Sequence, residues 1–210
     1  MASSFVDQIP LITYVMQKLS PSTVLDVGKG FGKYAFLIHE YVGIDHAHKP
    51  VKGHTLQSQS RVSVDAIEVN SDYDFPHNAG FYRRIFWSDI REIYQSLEIY
   101  DVVLMADVIE HLTKEEGLTL LRHFISKGST CVVSSPKVYF QQKMFESKWE
   151  DHLSFWSPRD LKMLGHLEFQ NTRSGRVYVI FPSKNRINGF GNSLLEKTKR
   201  LVWTVINEVR

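Results

Sequence analysis

Short apolar runs alternate with helix-like spacing along most of the chain. Runs rich in β-branched and aromatic residues are bounded by polar or glycine-containing segments, as expected of strands and turns. In residues 9–19 the side chains of Leu11, Ile12, Val15 and Met16 recur on one helical face. Such alternation is typical of a parallel sheet covered by helices on both faces. The predicted strands are residues 23–27, 62–69, 82–87, 100–106, 129–134, 168–172 and 176–181.

Residues typical of helix starts and of turns complete this pattern. A helix is predicted over residues 33–41, directly after a glycine-rich turn. Thr113 and Glu116 have the spacing of a capping box, which predicts a helix behind them. Ser157 followed by proline predicts another helix start. The last two strands are predicted to form a hairpin around Ser174 and Gly175.

The composition is that of an ordinary globular domain. The chain has 210 residues, of which 43% are hydrophobic and 23% charged, and its formal net charge is +2. This small charge gives no indication of a nucleic-acid partner. The one cysteine, Cys131, lies in an apolar run and cannot form an internal disulfide, which fits a reducing, cytoplasmic setting. Because no export signal and no apolar run of about 18 residues occurs, neither secretion nor a membrane span is expected.

Two segments depart from the alternation. Residues 43–61 form a polar insertion whose length indicates a functional or a mobile loop. It contains His46 and His48, but a metal site there is disfavoured because no cysteine accompanies them. Beyond residue 183 a polar stretch leads into an amphipathic helical pattern. We therefore expect one domain over residues 1–183 and a C-terminal helical tail over residues 184–210, which packs on its own domain or forms a dimer contact.

The most informative motif follows the first predicted strand. Asp26 stands near the end of an apolar run, and Gly28, Gly30 and Gly32 follow at alternate positions before a helical pattern. Glycine reaches positive φ at low cost and lets the backbone approach a ligand closely. A buried strand, a tight glycine turn and a helix start together are typical of a nucleotide-type cofactor site.

Polar residues follow three further strands, at the edge where ligands bind in open α/β sheets. Glu68 is placed to accept hydrogen bonds from two ribose hydroxyls. Asp89 follows the third strand, where it can accept from an adenine amine while Ile90 or Trp87 packs on the ring. The group at the end of the fourth strand consists of Ala106, Asp107, Glu110 and His111.

In this order the motifs resemble those of class I S-adenosylmethionine-dependent methyltransferases. The resemblance rests on Asp-x-Gly-x-Gly-x-Gly at residues 26–32, on the two acidic residues after strands two and three, and on Asp-Val-Ile-Glu-His-Leu at residues 107–112. It covers about residues 24–181. Residues 152–161 are similar to a segment of small-molecule methyltransferases, with Trp156 as one extra residue. The branch that it resembles methylates oxygen atoms of quinones or sugars.

The resemblance implies a fold and a cofactor. The fold would be α/β, a Rossmann-like doubly wound sheet of seven mostly parallel strands with an antiparallel last strand, in three α/β/α layers. The cofactor would be S-adenosyl-L-methionine, with Asp26 and the glycines at its methionine portion, Glu68 at its ribose and Asp89 at its adenine. Lys29 departs from the family, in which many members carry a small residue there, and its side chain is expected to point to solvent.

Two other nucleotide sites fit the sequence poorly. In a nicotinamide dehydrogenase the third glycine would stand one residue later, where it allows close helix packing. No set of Ser, Tyr and Lys suited to hydride transfer follows either. A Walker-type phosphate loop is excluded because Gly-Lys-Ser/Thr is absent.

Methyl transfer to oxygen requires a placed acceptor and removal of its proton. The candidates are His152, Asp107 and His111, because a histidine suits general-base work near pH 7. Asp107, Glu110 and His111 also resemble a divalent-cation site of quinone-ring O-methyltransferases. The alternatives stay open: Glu110 and His111 could instead hold their loop by hydrogen bonds to backbone, and His152 could cap the turn at Ser157.

The acceptor is expected to be a small molecule, with residues 136–155 as a lid over it. The amine-methylating signature Asn/Asp-Pro-Pro-Tyr/Phe is absent after the fourth strand, so DNA is not expected. RNA is the first alternative, because Arg83, Arg84, Lys137 and Lys143 could form a weak basic rim. A cofactor-binding scaffold without catalysis, assembled through the C-terminal helix, is the second.

Overall fold

A seven-stranded sheet lies at the centre of the computed structural model, which describes residues 5–45, 51–138 and 149–183. The strands are β1 (Thr23–Val27), β2 (Ser63–Glu68), β3 (Arg84–Trp87), β4 (Val102–Ala106), β5 (Thr130–Pro136), β6 (His166–Asn171) and β7 (Gly175–Phe181). Their order is β3-β2-β1-β4-β5-β7-β6. β7 runs antiparallel to both of its neighbours, whereas β1 to β5 pair in parallel. The predicted mixed sheet with a terminal hairpin is confirmed.

Helices cover both faces of this sheet, which confirms the three α/β/α layers. Alternate side chains of a strand point to opposite faces, so in β1 Val24 packs into one core and Leu25 into the other. Cys131, fully buried, belongs to the second core. The helices are α1 (Ile9–Leu19), α2 (Lys33–Ile38), α3 (Leu56–Gln59), α4 (Ile90–Ile93), α5 (Lys114–Ser126) and α6 (Pro158–Leu161).

The elements differ from their predicted bounds in two informative ways. The helix predicted at Ser157 is the single turn α6, although its capping box is present. Strands β3 and β4 each begin two residues later than predicted, after Tyr82 and Tyr100. Both tyrosines are buried and donate hydrogen bonds to carboxylates, at Asp26 and at Asp65. Their apolar rings therefore extended the predicted strands beyond the ladder of backbone hydrogen bonds.

The topology opens a crevice at the carboxyl edge of the sheet. β1 lies between β2 and β4, so the connections that leave β1 and β4 diverge to opposite sides. In open α/β sheets ligands bind at such a switch point. The predicted tail, residues 184–210, and the two histidines His46 and His48 lie outside the described residues. Within the described ranges, no helix is long and apolar enough to cross a bilayer.

The capping box of α5 gives a test of local stability. Glu116 N donates to Thr113 Oγ1 at 3.3 Å, and Thr113 N donates to the Glu116 carboxylate at 2.8 Å. Thr113→Ala removes the first bond and is expected to lower the free energy of unfolding by about 1 kcal/mol. The control Thr119→Ala makes the same change at an exposed position inside α5. Urea unfolding in which both variants match the wild type would contradict the prediction.

Candidate functional site

The glycine-rich turn after β1 requires glycine for two physical reasons. Gly28, Gly30 and Gly32 have φ of +70°, +49° and +81°, which L side chains rarely adopt. A Cβ atom on Gly28 would lie 2.5 Å from a methyl carbon of Val108, so the backbone is also packed against the loop after β4. Gly28 N donates to Ile67 O at 2.8 Å, which fixes the turn beside the end of β2. The turn therefore presents its backbone to the crevice.

Glu68 lies at the end of β2 and faces this turn. Its buried carboxylate accepts from Gly30 N at 2.9 Å and from Asn70 N at 3.0 Å, through different oxygens. A carboxylate offers about four lone-pair positions, so two remain for further donors. Hydroxyl groups of a ribose are donors of that kind. The position and the remaining acceptor capacity of Glu68 fit its predicted role.

Lys29 lies in the same pocket, and the expectation that it points to solvent is wrong. Its side chain is only 4% exposed. The ammonium donates to Tyr73 O at 2.7 Å and to Gly30 O at 3.2 Å, and lies 4.9 Å from the ring centre of Trp87. Burial lowers the pKa of Lys29, while the nearby Glu68 carboxylate opposes this shift. Lys29 thus ties the turn at residues 71–73 to the glycine loop.

Asp26 is buried beneath the turn. Its carboxylate accepts from the Tyr82 hydroxyl at 2.8 Å. Burial raises the pKa of Asp26 to about 6, although the Tyr82 hydrogen bond and the charge of Lys33 act in the opposite direction. A cation that binds next to Asp26 would stabilise the ionised form. The α-ammonium of an amino acid is such a cation.

Asp107 follows β4 on the other side of the same crevice. Its φ is +54°, in the left-handed region that is uncommon for residues other than glycine. Ser134 holds it there: the Ser134 hydroxyl donates to Asp107 Oδ1 at 3.0 Å, and Asp107 N donates to Ser134 Oγ at 3.1 Å. Burial lowers the pKa of Lys33, while the charges of Asp107 and Asp26 act in the opposite direction. Two carboxylates and one ammonium therefore face the crevice between β1 and β4.

The remaining predicted cofactor residues occupy the expected strand ends. Asp89 caps α4 by accepting from Arg91 N at 2.9 Å, and its carboxylate also pairs with the Arg91 guanidinium. Ile90 is buried in the core that packs on α5. Ala106 is the half-buried last residue of β4. Adenine contacts of Asp89 and Ile90 stay predictions.

A second cluster lies in the loops after β4 and β5. Glu110, His111 and His152 each bring one ligand atom, and these atoms lie within 4.8 Å of one another. His111 Nδ1 lies 3.1 Å from Asp151 O. A carbonyl oxygen only accepts, so Nδ1 carries a proton, and in the neutral ring Nε2 then keeps its lone pair. The imidazole rings of His111 and His152 are 5.0 Å apart.

Glu110 is the unusual member of this cluster. Its side chain is 2% exposed, and its Oε2 has no hydrogen-bond partner among the described residues. Burial and the charge of Asp107 raise the pKa of Glu110 well above its ordinary value. A bound divalent cation would compensate the buried carboxylate, and one carboxylate with two imidazoles is a donor set that such cations accept. Asp107 was predicted to join Glu110 and His111 in a cation site, but its carboxylate accepts a hydrogen bond from Ser134 instead.

The structure also bears on the simpler roles considered for these residues. Asp160 accepts from Ser157 N and from the Ser157 hydroxyl, so α6 has its cap without His152. The His111 hydrogen bond to Asp151 O does hold one loop to another, as the structural alternative predicted. Loop fixation and a chemical role for Nε2 are compatible, because they use different ring nitrogens.

A small cavity adjoins the cluster. It is lined by Glu110, Ser135, Pro136, His152, Ser154, Phe155 and Trp156. Trp156, the extra residue relative to the resembled segment, is fully buried, and its Nε1 donates to Ile109 O at 3.1 Å and to Ser154 Oγ at 2.7 Å. Residues 139–148 of the predicted lid lie outside the described part of the chain.

Two of the four residues of the predicted basic rim, Arg83 and Arg84, do not support it. Arg83 and Arg84 stand at the amino end of β3, on the edge opposite the glycine loop. Both guanidinium groups bind Asp65, and both also pair with Glu98. Their charge is therefore already compensated. Lys143 lies outside the described residues.

Several side chains of the site escaped the sequence analysis. Tyr82 was assigned to a strand, Lys33 to a helix, and Ser134 to the last position of the fifth strand, and no motif marks them as polar partners of the crevice. The segment between β2 and β3 also contributes, because Phe31 of the glycine loop stacks on Phe75 with ring centres 5.3 Å apart. The only available signal was the density of aromatic residues in this segment.

No family model and no curated protein matches the chain, whereas solved structures match its fold. An S-adenosylmethionine-dependent methyltransferase from Archaeoglobus fulgidus is 21% identical with a TM-score of 0.53, over 78% of this chain and 70% of the other. The N-terminal domain of EvdMO1 with S-adenosylhomocysteine bound is 12% identical with a TM-score of 0.57, over 85% and 82%. The methyltransferase domain of bacterial CtHen1 is 14% identical with a TM-score of 0.54, over 83% and 97%. The chain therefore has the Rossmann-like fold of these methyltransferases.

The raised pKa of Asp26 predicts a pH-dependent stability difference. The pKa is about 6 in the folded chain against an ordinary value of 3.8. Between these values the folded state binds more protons than the unfolded state, so this group makes the free energy of unfolding fall as pH rises. Asp26→Asn removes the titration and keeps an acceptor for Tyr82. The free energy of unfolding of the variant, relative to that of the wild type, is expected to rise by about 2 kcal/mol from pH 4 to pH 7.5.

Urea unfolding across this pH range measures the difference. The control Asp72→Asn changes an exposed aspartate, and its difference from the wild type should stay constant. If the Asp26→Asn difference also stays constant with pH, the carboxylate is not held as described.

Proposed function

We propose that this chain is an S-adenosylmethionine-dependent methyltransferase that acts on an oxygen atom of a small-molecule acceptor. The observation that carries the proposal is the arrangement of two sites at one sheet edge. A glycine turn with buried carboxylates lies at the ends of β1 and β2, and a histidine–glutamate cluster lies in the loops after β4 and β5. The first suits a nucleoside-bearing amino acid, and the second suits removal of a proton from an acceptor.

The donor site divides into a ribose end and an amino-acid end. Glu68 would accept from the ribose hydroxyls with the lone pairs that Gly30 N and Asn70 N leave unused. Asp26 and Asp107 would face the α-ammonium, while Lys33 would face the α-carboxylate. A zwitterion matches this group of two carboxylates and one ammonium in both signs of charge. The N-terminal domain of EvdMO1, which has this fold, was solved with S-adenosylhomocysteine bound, and this supports the same cofactor here.

When bound, the cofactor supplies an activated methyl group on a sulfonium. Transfer to an acceptor hydroxyl forms a C–O bond and breaks the C–S bond, with the electron pair left on sulfur. We assign His152 and His111 to the acceptor's proton. His111 Nε2 carries a lone pair because Nδ1 donates to Asp151 O. The buried surroundings exclude water, and so keep the methyl group for the acceptor.

The same cluster fits a divalent cation held by Glu110, His111 and His152. Such an ion would lower the pKa of an acceptor hydroxyl. The unpartnered Oε2 of Glu110 and its raised pKa favour this version. The general-base version predicts that a chelator leaves methyl transfer unchanged, whereas the cation version predicts that a chelator lowers it.

The acceptor class follows from the shape and charge of the surroundings. The cavity beside His152 has the aromatic side chains of Phe155 and Trp156 in its wall, which suit contact with the apolar part of a small molecule. RNA is disfavoured because Arg83 and Arg84 lie at the opposite edge with compensated charges. A scaffold without catalysis would have no use for a buried glutamate beside two histidines. The proposal assigns residues 1–183 to the methyltransferase domain and residues 184–210 to a helical tail.

Loss of the ribose ligand should weaken cofactor binding while the fold persists. Glu68→Ala is expected to raise the Kd for S-adenosylhomocysteine at least about tenfold, because charge-assisted hydrogen bonds are lost. Gly30→Val should do the same, since valine does not adopt a φ of +49°. Glu92→Ala removes an exposed glutamate from α4 and should leave the Kd unchanged. Calorimetry in which all three variants bind like the wild type would refute the donor site.

Loss of the proposed base should separate turnover from cofactor binding. His152→Ala is expected to lower methyl transfer by about 100-fold, measured with a labelled donor in an acceptor screen, with the Kd for S-adenosylhomocysteine within twofold. The control His54→Ala changes an exposed histidine outside the site. Activity that falls with a chelator and returns with Mg²⁺ or Mn²⁺ would establish the cation version, and activity insensitive to chelation would establish the general-base version. Equal activity of His152→Ala and the wild type would return this histidine to a structural role.

A further inference from the structure

We propose that Gln8, in the helical turn before α1, is a positioning residue of the donor site. It would hold the Asp107 carboxylate in the orientation that receives the amino-acid end of the methyl donor. This inference rests on the proposed function. It adds the N-terminal turn, which none of the motifs includes, to a site built from strand ends.

Gln8 reaches Asp107 together with Ser134. It is completely buried, and its amide nitrogen donates to Ser134 Oγ at 2.7 Å and lies 3.2 Å from both carboxylate oxygens of Asp107. This amide orientation follows from its neighbours, because the carboxylate can only accept. The Ser134 hydroxyl then donates once, to Asp107 Oδ1, and accepts twice, from Gln8 and from Asp107 N. Its hydrogen-bonding capacity is fully used.

The turn that carries Gln8 is held in place by contacts with the β6–β7 hairpin. Ser174 N donates to Asp7 Oδ2 at 2.8 Å, which anchors the turn to the β6–β7 hairpin. In this amide orientation a Cβ atom on Gly175 would lie 2.1 Å from the Gln8 amide oxygen, so the absence of a side chain at Gly175 makes the space for this amide. The insertion of Gln8 thus depends on contacts far from it in sequence.

If the side chain at position 8 only filled space in the core, an apolar residue would be expected there. Burial of a primary amide costs free energy unless it is hydrogen-bonded, and leucine would fill a similar volume without this cost. Here the amide lies against the carboxylate of Asp107, a residue whose φ is +54° and which lies beside Lys33 and the glycine turn. Its donors are neutral, so they orient the carboxylate without cancelling its charge. A neutral donor leaves the negative charge of the carboxylate in place, and recognition of an ammonium group requires that charge.

The experiment measures the Kd for S-adenosylhomocysteine by calorimetry in the full chain. Gln8→Leu is expected to raise the Kd about tenfold, as for a lost hydrogen bond to a charged group. Gln17→Leu makes the same change at an exposed position of α1 and should bind like the wild type. Gln8→Glu should bind weakly at pH 8, where a second carboxylate faces Asp107. Towards pH 5.5 its Kd relative to that of the wild type should recover, because a protonated glutamate donates again.

The outcomes separate the inference from the function on which it rests. If the wild type does not bind S-adenosylhomocysteine, the proposed function fails. If the wild type binds and Gln8→Leu binds equally well, only the role of Gln8 is overturned. If Gln8→Leu does not fold, the pH series of Gln8→Glu decides: recovery supports positioning of Asp107, and a constant ratio to the wild type overturns it.

Discussion

Charge balance at the carboxyl edge of the sheet is the constraint on which the site depends. Asp26 and Glu68 are buried there, Asp107 is half-buried, and the charges of Lys33 and Lys29 oppose the rise that burial causes in the pKa of Asp26. Carboxylates removed from water must be paired or hydrogen-bonded. The Tyr82 hydroxyl, the backbone N–H groups of the glycine turn and the Ser134 hydroxyl supply these bonds. The edge is thus organised for a ligand that carries both charges.

The proposed donor and acceptor functions are carried by different connections of one sheet. The turns after β1 and β2 form the proposed donor side, and the loops after β4 and β5 bring Glu110, His111 and His152 together. Asp107 stands between the two, joined by hydrogen bonds to β5 and to the N-terminal turn. A change that moves Asp107 would therefore act on both sides of the reaction.

The strands and the strand-end positions could be predicted because both follow from period and order along the chain. Asp26, Glu68 and Asp107 lie at one edge simply because parallel strands end there. The burial of Lys29 could not be predicted, since it depends on the carbonyl of Tyr73, 44 residues away. Gln8 gave no periodic signal, and its role appears only once Ser134 and Gly175 are beside it. Local sequence patterns do not show which distant residues become neighbours across the sheet, because tertiary packing decides this.

The main-chain carbonyl of Glu110 accepts from both Leu153 N and Ser154 N, at 2.8 Å and 3.0 Å. On the other side, Lys137 N donates to Ser174 O at 3.1 Å. The stretch that departs after Lys137 and returns at Leu153 is therefore anchored at both ends by backbone bonds, which no side-chain substitution removes. Because these bonds belong to the main chain, substitutions at Lys137, Leu153 or Ser154 leave the anchors in place. Under the proposed function, acceptor specificity can therefore change at these positions while the loop of Glu110 stays where it is.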